Sequence, residues 1–196
     1  MKHIFILFGV AFLFACSSQH TPAKKVVVMS SGKLTVAGDV VTLEPGTQHN
    51  ETPVKLTGST LTVKNGASSK EYAVPEAGTW LLNLKNDTLI GSYQNYGDAS
   101  GRESSISQEV MMERMDSLKA LMQGSNVTAA KKNHFAAPNQ LIKINGEDNT
   151  IIVGPYKGIP GSLTPGDDGK VPEVYKFITN RDARETLDKL EKLLKQ

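Results

Sequence analysis

The rhythm of apolar residues in the first half of the chain limits the fold more than any other feature. From Lys25 to Tyr96, the runs VVVM, KLTVAG, DVVTL, PVKL, STLTV, KEYAV, TWLLNL and TLIGSY are separated by turn residues. A spacing of about 8–12 residues between such runs is that of an all-β unit. Several runs alternate: Leu61 and Val63, and again Leu82 and Leu84, put apolar side chains on one face and Thr, Asn or Lys on the other. Asn65-Gly66 and Asn86-Asp87 supply residues that tolerate positive φ and so favour tight hairpins. Residues 25–96 therefore read as an all-β domain, a small antiparallel sandwich or partly open barrel.

A glycine-rich polar stretch at 97–104 reads as a linker, and beyond it the period changes. Ser105 and Gln108 have the spacing of a capping box. Met111, Met115, Leu118 and Met122 then recur at i, i+4, i+7 and i+11, flanked by Val110 and Leu121, with Gly124 placed to end the helix. QLIKI at 140–144 and TIIVG at 150–154 read as strands joined by a hairpin at NGEDN, and VYKFI at 174–178 as a third strand. A last helix begins at a Thr179 and Asp182 capping pair and carries Ala183, Leu187, Leu190 and Leu194 on one stripe. Residues 105–196 thus form an α-β-β-β-α unit, two helices on a small antiparallel sheet, and the chain as a whole is of the α+β class.

The amino terminus has a different character. Lys2 and His3 precede an apolar run from Ile4 to Phe14. At about 1.5 Å per residue this run covers roughly half of a ~30 Å hydrocarbon core, which suits a secretory signal rather than a spanning helix. The run ends Leu13-Phe14-Ala15-Cys16, which resembles the lipobox of bacterial lipoproteins. The resemblance implies cleavage before Cys16, a diacylglyceryl group on its sulfur and acylation of the new terminus. Residues 1–15 would be the signal peptide and 16–24 a polar tether. Ser17, rather than Asp, after the cysteine points by the same resemblance to the outer membrane, with the protein facing the periplasm or the cell exterior. Three acyl chains would hold it there, since one chain alone binds only marginally. Farther on, NVTAAKKN, PNQLIKI and VGPY are similar to stretches of small bacterial lipoproteins with no known activity.

Charge and motif content narrow the function. The chain has 22 Lys and Arg against 20 Asp and Glu, and one of the cations, Lys2, lies in the signal. Such a balance offers no basic face for nucleic acid. A single cysteine makes neither an internal disulfide nor a thiolate metal site. No GxSxG, GxxxxGK[ST], HExxH or CxxC motif occurs, nor a GxGxxG following a strand. No catalytic residue and no cofactor is therefore assigned. The reading is a lipid-anchored, non-enzymatic binding or assembly module whose partner, beyond the membrane, is another cell-envelope protein or a glycan. The rival is a small-molecule or carbohydrate-directed enzyme or receptor with its site between the two domains.

Three local features could carry chemistry. The stretch 154–172 is rich in Gly and Pro and has no strand or helix period. Loops of that length inside compact domains are either binding loops or mobile connections. Tyr156 and Lys157 could meet a ligand by stacking and charge, and Asp167-Asp168-Gly169 is a fragment of a calcium loop without its remaining ligands. Met111, Met112 and Met115 could offer soft sulfur to Cu(I), although core packing is the simpler role for methionines at helical spacing. His134 and Trp80 read as structural residues.

Overall fold

The computed structural model describes residues 23–95, 108–128, 130–166 and 169–194. The chain is α+β, with a six-stranded sheet that nearly closes into a barrel, a four-stranded second sheet and two helices. Strands β1 (Lys24–Ala37) and β2 (Val40–Leu56) make one long antiparallel hairpin. β3 (Thr60–Asn65) and β4 (Ser68–Ala73) extend it on one side, and β5 (Gly78–Asn83) lies parallel to β1 on the other. The β3–β4 turn is the one expected at Asn65-Gly66, with φ of 56° at Gly66.

The VVVM run explains how the sheets stack. Side chains alternate along a strand, so Val26 and Val28 enter a core made entirely by the six-stranded sheet, together with Val41, Leu61, Val63 and Leu82. One sheet can supply both walls of a core only by curling round on itself. Val27 and Met29 point the other way, into a second core with Leu81, Leu89, Tyr175 and Phe177. β1 and β5 are thus covered on both faces, which is why their runs are continuously apolar.

The second sheet has the order β7 (Asn133–Ala136), β6 (Leu89–Tyr93), β10 (Val174–Thr179) and β9 (Ile151–Val153). Helices α1 (Gln108–Met122) and α2 (Asn180–Leu193) cover its outer face through Leu121 and Ala183, packed with Ile90. At the start of α2 the Asp182 amide donates to Thr179 Oγ1 at 3.0 Å, completing the capping box expected there. Gly124, at φ 73°, follows the last turn of α1. Among the described residues no helix is long and apolar enough to cross a membrane.

Two expected hairpins are crossovers instead. β8 (Gln140–Asn145) pairs with β5 in the first sheet, while β9 runs parallel to β10 in the second, so NGEDN carries the chain between sheets. Asn145 holds that corner, its carboxamide donating to Thr150 Oγ1 at 2.5 Å and to Glu173 Oε2 at 3.0 Å. Likewise β5 and β6 belong to different sheets, and Asn86-Asp87 lies on the passage between them. Both sheets therefore take strands from either side of residues 97–104, which themselves lie outside the described residues. Three pairings, β1 with β5, β2 with β3 and β9 with β10, are parallel, so the sheets are mixed rather than purely antiparallel.

Candidate functional site

Where the two sheets meet, a cleft of about 580 Å³ opens, and four pieces of chain build it. The first is an irregularity in the long hairpin. Its register passes from Ser31 opposite His49 to Gly32 opposite Pro45, so residues 46–48 have no counterpart on β1. Such a bulge bends a strand and re-aims its side chains. It depends on Gly32, whose φ is 113° and whose missing Cβ would collide with the Glu44 carbonyl and the Gly46 amide. Ser31, Gly46, Thr47 and His49 thereby face the cleft.

The second piece is the passage from β5 to β6, which brings Lys85. Asn83 fixes it: wholly buried, its carboxamide donates to the carbonyls of Asp87 and Ala136, both at 2.9 Å, and accepts the Lys85 amide at 3.0 Å. The third is the loop after β9. Lys176, on β10, donates from Nζ to the carbonyls of Gly154 and Lys157, each at 2.5 Å, and of Pro155 at 3.3 Å. Pinned this way, the loop holds Tyr156, a residue 56% exposed, in the lining of the cleft. The fourth is the start of α2, with Thr179 and Arg181.

The polar groups at the base form one connected set. Glu51 is two residues from His49 on β2, hence on the same face, and its side chain is only 5% exposed. His49 Nε2 lies 2.6 Å from Glu51 Oε1, and His49 Nδ1 lies 3.2 Å from Lys85 Nζ. An ammonium can only donate, so Nδ1 accepts, and the neutral ring carries its proton on Nε2 and donates to Glu51. Glu51 also accepts from Lys157 at 3.2 Å and from the Gly154 amide. A Cβ on Gly154 would overlap the Glu51 carboxylate, so this approach requires glycine. Burial alone would raise the Glu51 pKa, but the bonds from His49 and Lys157 outweigh it and hold the carboxyl below its ordinary value.

Lys85 is 7% exposed. Besides His49 it donates to Ser31 Oγ at 3.3 Å, leaving one donor on an ammonium that lines the cleft. Burial lowers its pKa; Asp87, Asp182 and Glu51 oppose that shift and Arg181 adds to it. The Tyr156 ring meets His49 edge-on at 5.1 Å between centroids, and Lys85 Nζ lies 5.8 Å from the Tyr156 ring centre. The arrangement is a polar pocket of mixed charge, with Lys85, Asp87 and Arg181 in its lining and Tyr156 as an aromatic wall. It offers a spare ammonium donor beside a carboxylate, while the His49 imidazole has both nitrogens engaged. A second hollow, about 410 Å³, adjoins it and shares Ser31, Gly46 and Asn86.

Compared with known protein families, with curated proteins and with solved structures, the chain matches none.

Of the residues singled out from sequence, Tyr156 and Lys157 are brought together here with His49, Glu51 and Lys85. Asp167, Asp168 and Cys16 lie outside the described residues. The three methionines are treated differently by helix α1: Met115 is buried at 5%, Met111 is half-buried and Met112 is 51% exposed. Met115 thus packs as a core residue. His134 is half-buried, and its buried Nε2 has no hydrogen-bond partner. Trp80 packs against the core of the six-stranded sheet and donates from Nε1 to the Glu76 carbonyl at 3.2 Å. Among the described residues no three His, Cys, Asp or Glu side chains converge as a metal site.

Proposed function

We propose that the protein is a lipid-anchored component of the bacterial cell envelope, held to the outer membrane through Cys16, and that its folded part is a non-enzymatic binding module. Its ligand enters the cleft between the two sheets, and its partner in the envelope is reached beyond the polar tether of residues 16–24. The observation that carries the binding reading is Lys85, a lysine buried at the base of an open cleft with a donor left over. Asp87, Asp182 and Glu51 answer its charge from nearby, and the remaining ammonium donor is free to hold an acceptor group of a ligand in the cleft. His49 supports binding over catalysis, because Glu51 and Lys85 occupy both of its ring nitrogens.

Two measurements test the reading. In cells fed labelled palmitate, the wild-type chain should carry label and sediment with membranes, while Cys16→Ser should do neither; an unlabelled, freely dissolved wild type would refute the anchor. A thermal-shift screen of polar metabolites should yield ligands that stabilise the wild type and fail to stabilise Lys85→Met. Ligands that stabilise both equally would place binding elsewhere.

A further inference from the structure

The floor of the cleft is organised around one amine. Lys85 lines it at 7% exposure, and its Nζ donates to His49 Nδ1 at 3.2 Å and to Ser31 Oγ at 3.3 Å, with one donor left for the cleft. Behind the imidazole, Glu51 Oε1 lies 2.6 Å from His49 Nε2 on a side chain only 5% exposed. Amine, imidazole and carboxylate thus follow one another, each within hydrogen-bond reach of the next. A base that touches a nucleophile and is itself oriented by a third group is the arrangement that activates side chains for covalent chemistry. Since Lys85 and Glu51 take both ring nitrogens, the imidazole serves the lysine rather than a ligand.

Charges of both signs surround this amine. Asp87 from the β5–β6 passage, Asp182 from the start of α2 and Glu51 from β2 favour its ammonium form; burial and Arg181 disfavour it, and the balance lowers its pKa. The free amine is therefore more accessible than on an exposed lysine. The three carboxylates have a second effect, because they stabilise any product that keeps a positive charge at Nζ. A protonated imine keeps that charge, whereas an amide loses it, so the surroundings suit a carbonyl compound rather than an acyl donor. Tyr156, its ring centre 5.8 Å from Nζ, walls the approach, and Thr47 and Asn86 add a hydroxyl and a carboxamide to the lining.

We propose that Lys85 is a Schiff-base lysine, which captures a small hydroxyaldehyde in the cleft as a protonated imine. The proposal rests on the binding reading above and names the class of its ligand. The aldehyde oxygen first accepts from the spare ammonium donor, while its hydroxyls meet Thr47 and Asn86. His49 Nδ1 takes the proton that Lys85 already directs at it, and Glu51 holds the imidazolium. The amine turns about its Cε–Nζ bond and attacks the carbonyl carbon, so that a C–N bond forms and the carbonyl π pair passes to oxygen. That oxygen takes the proton back from His49 and a second proton from nitrogen, and leaves as water. Ammonium and aldehyde have become iminium and water: two of the three ammonium hydrogens depart with the oxygen, the third stays on nitrogen, the charge is unchanged and no oxidant or reductant is consumed.

Reductive trapping tests the proposal: the full chain in detergent micelles is incubated with glyceraldehyde and cyanoborohydride, which fixes an iminium as a stable secondary amine, and the labelled lysines are located by peptide mass spectrometry. At neutral pH Lys85 should be labelled about tenfold faster than the exposed Lys33 and Lys64 of the same chain. An exposed lysine gains free amine about tenfold per pH unit in this range, and the Lys85 rate should climb less steeply. His49→Gln should bring Lys85 down to the Lys64 rate and restore the steep pH dependence, with Lys64 itself unchanged. Propionaldehyde, which has no hydroxyl, should label Lys85 about threefold more slowly than glyceraldehyde. The comparison of lysines within the wild-type chain needs no variant and stands even if His49→Gln does not fold. Lys85 labelled no faster than Lys64 would overturn the proposal. The binding module would then remain if metabolites from the thermal-shift screen still depended on Lys85, and would fall with it if none did.

Discussion

Replacing Asn83 by Leu tests the geometry that delivers Lys85. The two side chains share a branched skeleton of four heavy atoms, and position 83 is completely buried, so the change removes the hydrogen bonds and adds the extra bulk of two methyl groups. It removes two donations, to the carbonyls of Asp87 and Ala136, and one acceptance, from the Lys85 amide. Each backbone group left without a partner inside the protein costs about 1–3 kcal/mol. Part of this is offset because the carboxamide no longer has to be desolvated. A net loss of about 3–4 kcal/mol follows, which for a chain of this size lowers the melting temperature by roughly 6–16 °C. Urea unfolding followed by tryptophan fluorescence reports the change through the lone Trp80, with an unaltered m-value expected if the unfolded state is unaffected. A loss below about 1 kcal/mol would show that water or a local shift satisfies the three groups, and that Asn83 does not fix the passage.

Further outcomes follow from other sites. Gly91→Ala should destabilise by about 1–3 kcal/mol in the same unfolding assay, because its Cβ would fall about 2.5 Å from ring atoms of the fully buried Phe177. Lys176→Met should speed amide hydrogen exchange at residues 154–158, whose carbonyls lose their clamp, and weaken ligand binding without unfolding the sheets. Burial lowers the His134 pKa, against the pull of Glu173. Above about pH 6.5 the ring is neutral in both states; as pH falls below that, the unfolded chain takes up a proton that the folded one resists, and stability drops by up to about 1.4 kcal/mol per pH unit. His134→Phe should flatten stability between about pH 6.5 and 5. The depressed carboxyls of Glu51 and Glu173 begin to cost stability only below about pH 4.5.

Local features of this fold were written plainly in the sequence. Asn65-Gly66 makes the β3–β4 turn, Thr179 and Asp182 make the capping box, and the VVVM run is a strand buried on both faces. The partnership of strands was not legible. NGEDN and Asn86-Asp87 have hairpin composition, but Asn145 and Asn83 bind groups far away in the chain, Glu173 and Ala136 among them, and those long-range bonds turn each corner into a crossover. The site shows the same division. Tyr156 and Lys157 stood out because their loop lacks any period, whereas His49, Glu51, Lys85 and Arg181 are scattered over the chain and meet only through sheet packing. Two weak signals were present: the two-residue spacing of His49 and Glu51 puts both on one face of a strand, and Lys85 follows directly on the apolar run TWLLNL.

Backbone chemical-shift mapping of the isotope-labelled full chain in micelles, titrated with a metabolite from the thermal-shift screen that stabilises the wild type, addresses the binding claim most directly. The account predicts that the perturbed amides cluster at Gly46, Thr47, Asn86, Tyr156 and Arg181, which surround the cleft. Perturbations confined to distant surfaces such as Val127 and Leu193, or none at saturating ligand, would contradict it.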